Sequence, residues 1–174
     1  MDSVRLKDCD ILLFPAKGWP EKLIAWGTDS LYCHVGVITS ARLGIMIEAG
    51  AGRVHATAIT NLHRDYDVYR VKSKYDYQKD SVIHFLTLAL NAHYDYLGVA
   101  YLGILKLLGK CGINTKDAAN KWQKSRDYFC SELVHRAFIA GGLNLVPGLP
   151  DSDVISPADI AVSKYVKMEK QHKE

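Results

Sequence analysis

The sequence predicts an α+β domain in which an antiparallel β-sheet packs against helices. Two observations predict this class. Short segments of β-branched and aromatic residues fill the first half of the chain, and apolar residues at helical spacing fill the second. The chain has 174 residues, of which 48% are hydrophobic and 24% charged, so it is long enough to bury a core. We expect a single domain over residues 1–174, with a core at about 8–165 and a solvated tail at 166–174.

Five strands are expected before residue 76. The run DILLF (Asp10 to Phe14) is apolar and is stopped by Pro15, as suits a buried strand. A short helix is expected next, in GWPEKLIAWGTDS. Four further strand-length segments follow with tight links between them: YCHVGVIT, GIMIEA, RVHATAI and DYDVYRV. Consecutive short strands of this kind predict an antiparallel meander.

Helical spacing begins at Asp76. The segment DYQKDSVIHFLTLALNAHY carries one apolar stripe: Val82, Phe85, Leu86, Ala89 and Leu90. A small helix is expected in NTKDAANKWQKS, and the segment DYFCSELVHRAF predicts a helix that ends at Gly141-Gly142. The last helix, in SPADIAVS, has Ser156 as its N-cap, Pro157 at its first position and Asp159 closing a capping box.

Composition excludes several classes of protein. Lys and Arg number 22 against 19 for Asp and Glu, so no basic surface for nucleic acid is indicated. The first residues lack a basic segment followed by a long apolar run, so we predict no secretory leader and a cytoplasmic location. Four scattered cysteines are too few for a disulfide framework, and reduced thiols are expected.

The most apolar segment is LGVAYLGILKLLG, residues 97–109. It is short for a bilayer span and contains Lys106, so no transmembrane segment is expected. Two interpretations stay open. Either the segment packs on the core, or it makes peripheral contact with lipid and lines a pocket for an acyl chain.

Cys130 lies on the inward face of its predicted helix, a face that continues through Leu133, Val134, Ala137 and Phe138. One interpretation is a small buried hydrophobe, since free cysteine is among the most buried residue types. The other is a nucleophile. The polar residues KSRDY precede it and place it in the first turn of the helix, where unpaired N–H groups and the helix dipole favour a thiolate.

A cysteine nucleophile needs a base, and His34 is the leading candidate. Strand alternation puts Tyr32, His34, Gly36 and Ile38 on one face of their strand. Gly36 leaves room on that face for a helix or a substrate to approach the ring. The other histidines are interpreted as structural or solvated, with His55, in a later strand, kept as a secondary candidate for lining a site.

Glu48 is the candidate partner of His34. If YCHVGVIT and GIMIEA form a hairpin whose turn is centred on Ala41, the numbers of paired residues sum to 82, which places His34 opposite Glu48. A carboxylate there fixes the imidazole tautomer and stabilises the imidazolium. A polar pair that only stabilises the sheet is the alternative, and a bulge would shift the register. A zinc site formed by Cys130, His34 and Glu48 is a further alternative, since these ligand types suit zinc.

The order of these segments resembles a known family. DILLF, then Tyr-x-His-Val-Gly, a strand ending in IEA, FCSELV and SPADIA together resemble the circularly permuted branch of the NlpC-type papain-like cysteine hydrolases. That branch includes YiiX-like proteins and, more distantly, lecithin:retinol acyltransferase-like proteins. The resemblance spans about Asp10 to Ser163 and implies a permuted papain-like fold in which the strand bearing the histidine precedes the helix bearing the cysteine.

The resemblance also implies roles for individual residues. Cys130 matches the nucleophile, His34 the general base and Glu48 the orienting residue, which places the chain nearer the YiiX-like group. The backbone N–H of Cys130 would be one oxyanion donor, with the hydroxyl of Tyr32 or of Tyr96 as the second. Such proteins usually begin their first strand with Gly-Asp, whereas this chain has Cys9-Asp10. Asp10 is therefore expected either to shape the site or only to terminate the preceding loop.

The function that the resemblance implies is a cysteine amidase or peptidase. Its substrate would be a small peptide or an N-acyl, lipid-like molecule, and the chemistry requires no metal or organic cofactor. Lipid-directed acyl transfer or ester hydrolysis through the same thiol is the first alternative. A binding module with an unused triad is the second.

Overall fold

The computed structural model describes residues 5–17, 31–50, 52–92, 130–148 and 155–172. Within these ranges the strands are β1 (Ile11–Pro15), β2 (Tyr32–Ser40), β3 (Ile45–Gly50), β4 (Arg53–Ala58), β5 (Tyr66–Val71) and β6 (Val166–His172). The helices are α1 (Lys79–Leu88), α2 (Cys130–Ala140) and α3 (Pro157–Ala161), and a 3-10 turn covers Ile59–Asn61. The helices expected at residues 18–30 and 114–125 and the apolar segment 97–109 lie outside the described residues.

The six strands form one antiparallel sheet in the order β4-β3-β2-β1-β5-β6. The predicted meander is confirmed for β1 to β4, because each of these strands pairs with the one before it. It breaks at β5, which returns to pair with the other side of β1. The mixed α+β class is therefore confirmed, and β1 lies inside the sheet.

A separate apolar core covers each face of the sheet, which explains why DILLF is apolar without alternation. On one face, Ile11 and Leu13 of β1 pack with Val35 and Val37 of β2 against α1 and α2. The residues that form the core on the other face are Leu12, Phe14, Ile38, Met46, Tyr66 and Val68. Because β1 is buried on both faces, its pairing with the neighbouring β2 lies inside the core.

The helix α2 buries all five residues that its spacing predicted to face inward, from Cys130 to Phe138. It ends where expected, with Gly142 in the left-handed region at φ 85°. Gly141 has a packing role, since a Cβ there would lie 2.5 Å from a methyl carbon of Val82 on α1. The α3 capping box is also confirmed, with Ser156 and Asp159 each accepting the other's backbone N–H.

The expectation of a solvated tail at 166–174 is wrong for Val166–His172, which forms β6 and pairs with β5. Val166 is buried, and the rings of Tyr66 and His172 stack with their centroids 4.5 Å apart. The segment misled sequence reasoning because it is rich in lysine. Lysine is typical of an edge strand, whose outer side faces water and must not pair with another chain.

Cys9 stands where the resembling proteins usually have glycine, and its backbone adopts a glycine-like conformation with φ 67°. The turn before β1 therefore forms without glycine. Asp10, the next residue, is fully buried, and its carboxylate accepts the Lys7 N–H at 2.8 Å and two guanidinium N–H groups of Arg70 at 2.6 and 2.7 Å. Asp10 thus ties this turn to β5.

Replacing Asp10 with Asn should destabilise the fold by about 3–5 kcal/mol, because it leaves the Arg70 guanidinium without its buried counter-charge. Urea unfolding would measure the change. The matched control is Lys167→Ala, which removes a lysine that is 54% exposed and paired with Glu169 at 2.9 Å. That variant should lose about 1 kcal/mol or less. Equal losses in the two variants would contradict a structural role for Asp10.

Candidate active site

The hairpin of β2 and β3 brings His34 and Glu48 together in a register that differs from the predicted one. Gly36, not His34, lies opposite Glu48, so the numbers of paired residues sum to 84. The sum of 82 is wrong because the turn spans residues 41–44 and a bulge separates Ile38 from Ser40. A shift of two residues keeps each side chain on its face, so His34 and Glu48 become diagonal neighbours.

The two side chains are in direct contact across this diagonal. His34 Nε2 lies 2.6 Å from Glu48 Oε2, and the side chains are only 17% and 11% exposed. An ionised carboxylate can only accept, so the proton lies on Nε2 and Nδ1 is the nitrogen left for other chemistry. The space that Gly36 leaves holds the side chain of Met46, whose sulfur is 2.5 Å from where a Cβ would be. The expectation that this space admits a helix or a substrate is therefore wrong, because Met46 occupies it.

Cys130 meets His34 from the first turn of α2. Its thiol is buried and hydrogen-bonds the His34 ring, and the backbone N–H groups of Val35 and Ser131 also donate to the sulfur. The position of the Val35 N–H follows from the register. The Ile38 N–H donates to Asp10 of the loop before β1, so alternate residues of β2, among them Val35, point their N–H groups toward β3. The β2–β3 pairing begins only at Gly36, which leaves that N–H directed at the thiol.

These contacts shift the pKa values of both groups toward an ion pair. Burial opposes ionisation of Cys130, but the hydrogen bond and charge of His34 and the two backbone N–H groups lower its pKa below the ordinary thiol value. Burial would likewise lower the pKa of His34, but its hydrogen bonds to Cys130 and Glu48 outweigh this and raise it to about 9. The site therefore favours a thiolate beside an imidazolium.

The second oxygen of Glu48 is also engaged. Thr57 donates its hydroxyl to Glu48 Oε1, and His55 Nε2 lies 3.4 Å from the same atom. Burial raises the pKa of Glu48, but His34, Thr57 and His55 together lower it below the usual range. Sequence reasoning kept His55 only as a secondary candidate and missed Thr57. The tight link after GIMIEA was the available signal, because it places His55 directly opposite Glu48.

Two of the remaining sequence-predicted site residues, Tyr32 and Asp10, have other partners in the structure. The Tyr32 hydroxyl donates to Asp67 at 2.6 Å, so its role as an oxyanion donor stays a prediction that would require this proton to change partner. Tyr96 lies outside the described residues. Asp10 follows the turn at the far end of β1, where its C=O pairs with Ile38, about 13 Å along β2 from His34. Its carboxylate is held by Arg70 and takes no part in the site.

Comparison with known proteins shows the fold of the chain. No family model and no curated protein matches the chain. Among solved structures, it is similar to one described as the metalloprotein yiiX from Escherichia coli O157:H7, DUF1105. The match has a TM-score of 0.67 at 16% identity and covers 98% of this chain and 99% of the other. The chain therefore has a YiiX-like α+β fold.

That neighbour is described as a metalloprotein, which raises the question of a metal site in this chain. No group of three or more His, Cys, Asp or Glu side chains in the described ranges is arranged to hold an ion. The site residues contact one another, since His34 and His55 both direct Nε2 at the carboxylate of Glu48. The zinc site considered for Cys130, His34 and Glu48 is therefore not among the ligand groups that the described residues form. Within the same ranges, no helix is both long and apolar enough to cross a bilayer.

The pairing of the Cys130 thiolate with the His34 imidazolium can be tested by alkylation of Cys130. The rate with iodoacetamide, followed by mass spectrometry of the Cys130 peptide, should stay high below the pH at which ordinary thiols lose reactivity and fall only as pH drops through the lowered Cys130 pKa. His34→Ala should move the midpoint upward, because the imidazolium no longer stabilises the thiolate.

Cys9 is the internal control in the same digest. Burial raises its pKa to about 12, so it should react slowly throughout. A Cys130 profile that His34→Ala leaves unchanged would show that the two groups are not coupled.

Proposed function

We propose that this protein is a cysteine amidase or peptidase that works through an acyl-enzyme thioester. The observation that carries the proposal is the position of His34, whose ring is hydrogen-bonded to a buried thiol and to a buried carboxylate. A cross-strand pair that only stabilised the sheet would not need a cysteine from another element. A nucleophile, a base and a group that orients the base are the parts that covalent hydrolysis needs.

The geometry supports the following sequence of steps. The Cys130 thiolate attacks the carbonyl carbon of an amide, and the oxygen of the tetrahedral intermediate takes the negative charge. The N–H of Cys130, in the first turn of α2, is the proposed donor to that oxygen. When the C–N bond breaks, His34 gives its Nδ1 proton to the leaving amine. Its Nε2–H stays hydrogen-bonded to Glu48.

Water completes the reaction on the thioester. His34, now neutral, takes a proton from the water at Nδ1, and the hydroxide adds to the acyl carbon. Loss of the thiolate then releases the carboxylic acid and restores the imidazolium–thiolate pair. Glu48 stabilises each imidazolium state without accepting its proton, in keeping with the lowered pKa of this carboxyl.

The central test is hydrolysis of a substrate panel by the wild type and by Cys130→Ala. The panel contains peptide anilides, N-acyl amides and esters, with short and long acyl chains. We expect amide turnover that falls by roughly a thousandfold or more in the variant, since loss of a nucleophile removes covalent catalysis. Cys33→Ala is the matched control, because it removes the neighbouring thiol and leaves Cys130 in place.

The panel also separates the alternatives. Turnover restricted to long-chain esters, with transfer to an added acceptor, would favour lipid-directed acyl transfer. Activity that survives Cys130→Ala, together with no covalent label on Cys130, would overturn the proposal and favour a binding module.

The pH dependence of the reaction should show which step needs the imidazolium. With an amide substrate, kcat/KM should fall as pH rises through about 9, because neutral His34 has no proton for the leaving amine. With a nitrophenyl ester, whose leaving group departs without a proton, this alkaline decline should be much weaker. The same decline with both substrates would contradict the role of His34 as the acid.

A further inference from the structure

We propose that Thr57 and His55 of β4 are positioning residues that hold Glu48 in the orientation in which it serves His34. This inference rests on the proposed function and deepens it. It extends the candidate site from three residues on two strands and one helix to five residues that include a third strand. Neither residue touches the reacting atoms, so both would act through Glu48.

The two oxygens of the Glu48 carboxylate have different partners. Oε2 meets His34 Nε2 at 2.6 Å, whereas Oε1 accepts the Thr57 hydroxyl and lies 3.4 Å from His55 Nε2. A carboxylate whose two oxygens have different fixed partners cannot rotate about its terminal bond without losing both sets of contacts. Thr57 and His55 therefore fix which carboxylate oxygen accepts the hydrogen bond from His34, and the angle of that bond.

The register of β3 and β4 makes the contacts of Thr57 and His55 with Glu48 possible. His55 lies directly opposite Glu48 and Thr57 lies opposite Met46, so both side chains share the face of Glu48. Because β3 pairs with β2 and β4 on its two sides, one carboxylate on β3 reaches partners on both. The His34–Glu48 diagonal needs such support, since diagonal neighbours in a sheet are farther apart than residues directly opposite.

Gly50 supports this interpretation of the local packing. A Cβ at this position would lie 3.7 Å from Cε1 of His55 and 3.8 Å from Cε1 of His34. The two imidazole rings therefore approach the same point of β3, beyond Glu48. His55 is the more open of the pair, with 34% of its side chain exposed, and its Nδ1 lies 3.2 Å from the Arg53 carbonyl oxygen.

Two titratable groups of the candidate site, Glu48 and His34, lie near His55. Glu48 faces it from β3, and His34 lies beyond Gly50. On its own strand, Arg53 turns its guanidinium to Asn91 at 2.9 Å. The Thr57 hydroxyl is uncharged and makes the shorter contact with Oε1. We therefore assign the larger share of the positioning to Thr57.

The test uses matched substitutions and the alkylation profile of Cys130, which requires no known substrate. Thr57→Val removes the hydroxyl from a side chain of the same shape, and Thr57→Ser retains it. His55→Leu removes the imidazole and its ring nitrogens, and His55→Gln retains a polar N–H group. We expect the Val and Leu variants to slow alkylation on the acid side of the profile by about tenfold, with a higher midpoint, and the Ser and Gln variants to stay near the wild type.

A double-mutant cycle shows whether the effect passes through Glu48. In a Glu48→Ala background, Thr57→Val should have no further effect on the Cys130 profile, because the carboxylate that it positions is gone. Urea unfolding of each variant separates this from general destabilisation, since loss of stability alone would not move the alkylation midpoint.

The outcomes keep the two proposals apart. A wild-type Cys130 that alkylates like an ordinary thiol would overturn the proposed function itself. A wild type with a lowered midpoint that Thr57→Val and His55→Leu leave unchanged would overturn this inference alone. An equal effect of Thr57→Val with and without Glu48 would also overturn it.

Discussion

The contact between His34 and Glu48 is the interaction on which the proposed chemistry depends. It joins two adjacent strands through side chains that are almost completely removed from water, 2.6 Å apart. Burial of an imidazole normally favours its neutral form. Here the carboxylate on one side and the thiol on the other reverse that preference and raise the pKa of His34 to about 9. Without Glu48, a buried His34 would have only Cys130 to offset the cost of its charge.

The rest of the fold places the Cys130 thiol, the third group of the site, against His34. The sheet must end its β2–β3 pairing at Gly36, so that the Val35 N–H faces the thiol. The helix α2 must seat Cys130 at the sheet, and the close approach of α1 at Gly141 fixes the opposite end of that helix. These features lie in different parts of the chain. The site is thus a product of packing between a sheet and a helix that share one core.

Sequence reasoning predicted three residues that the structure brings into contact, because it relied on periodicities that a small error in register does not change. Helical spacing placed Cys130 inward, and strand alternation put His34 and Glu48 on one face. The assumed hairpin register was wrong by two residues, yet an even shift preserves the face, and the glutamate side chain is long enough to span the diagonal. A shift of one residue would have sent Glu48 to the other face.

What sequence reasoning missed depended on contacts between distant segments. Nothing local in the lysine-rich end of the chain indicates that Tyr66 and its neighbours in β5 will pair with it. Tyr32 shares a strand with His34, but its hydroxyl donates a hydrogen bond to the buried Asp67, two strands away in the sheet. Asp10 was predicted to begin the first strand, but its partner Arg70 is 60 residues farther along the chain. Such pairings need the sheet order, which the meander prediction gave only as far as β4.

The most direct test of this account is an NMR titration of the His34 ring in the wild type and in Cys130→Ala. The account predicts a wild-type midpoint near about 9, with the Nε2 proton retained on the Glu48 side throughout the titration. It also predicts a clear fall of the midpoint in Cys130→Ala, because the thiolate that stabilises the imidazolium is lost. A His34 that titrates near the ordinary histidine value of about 6.5 in both proteins would contradict it.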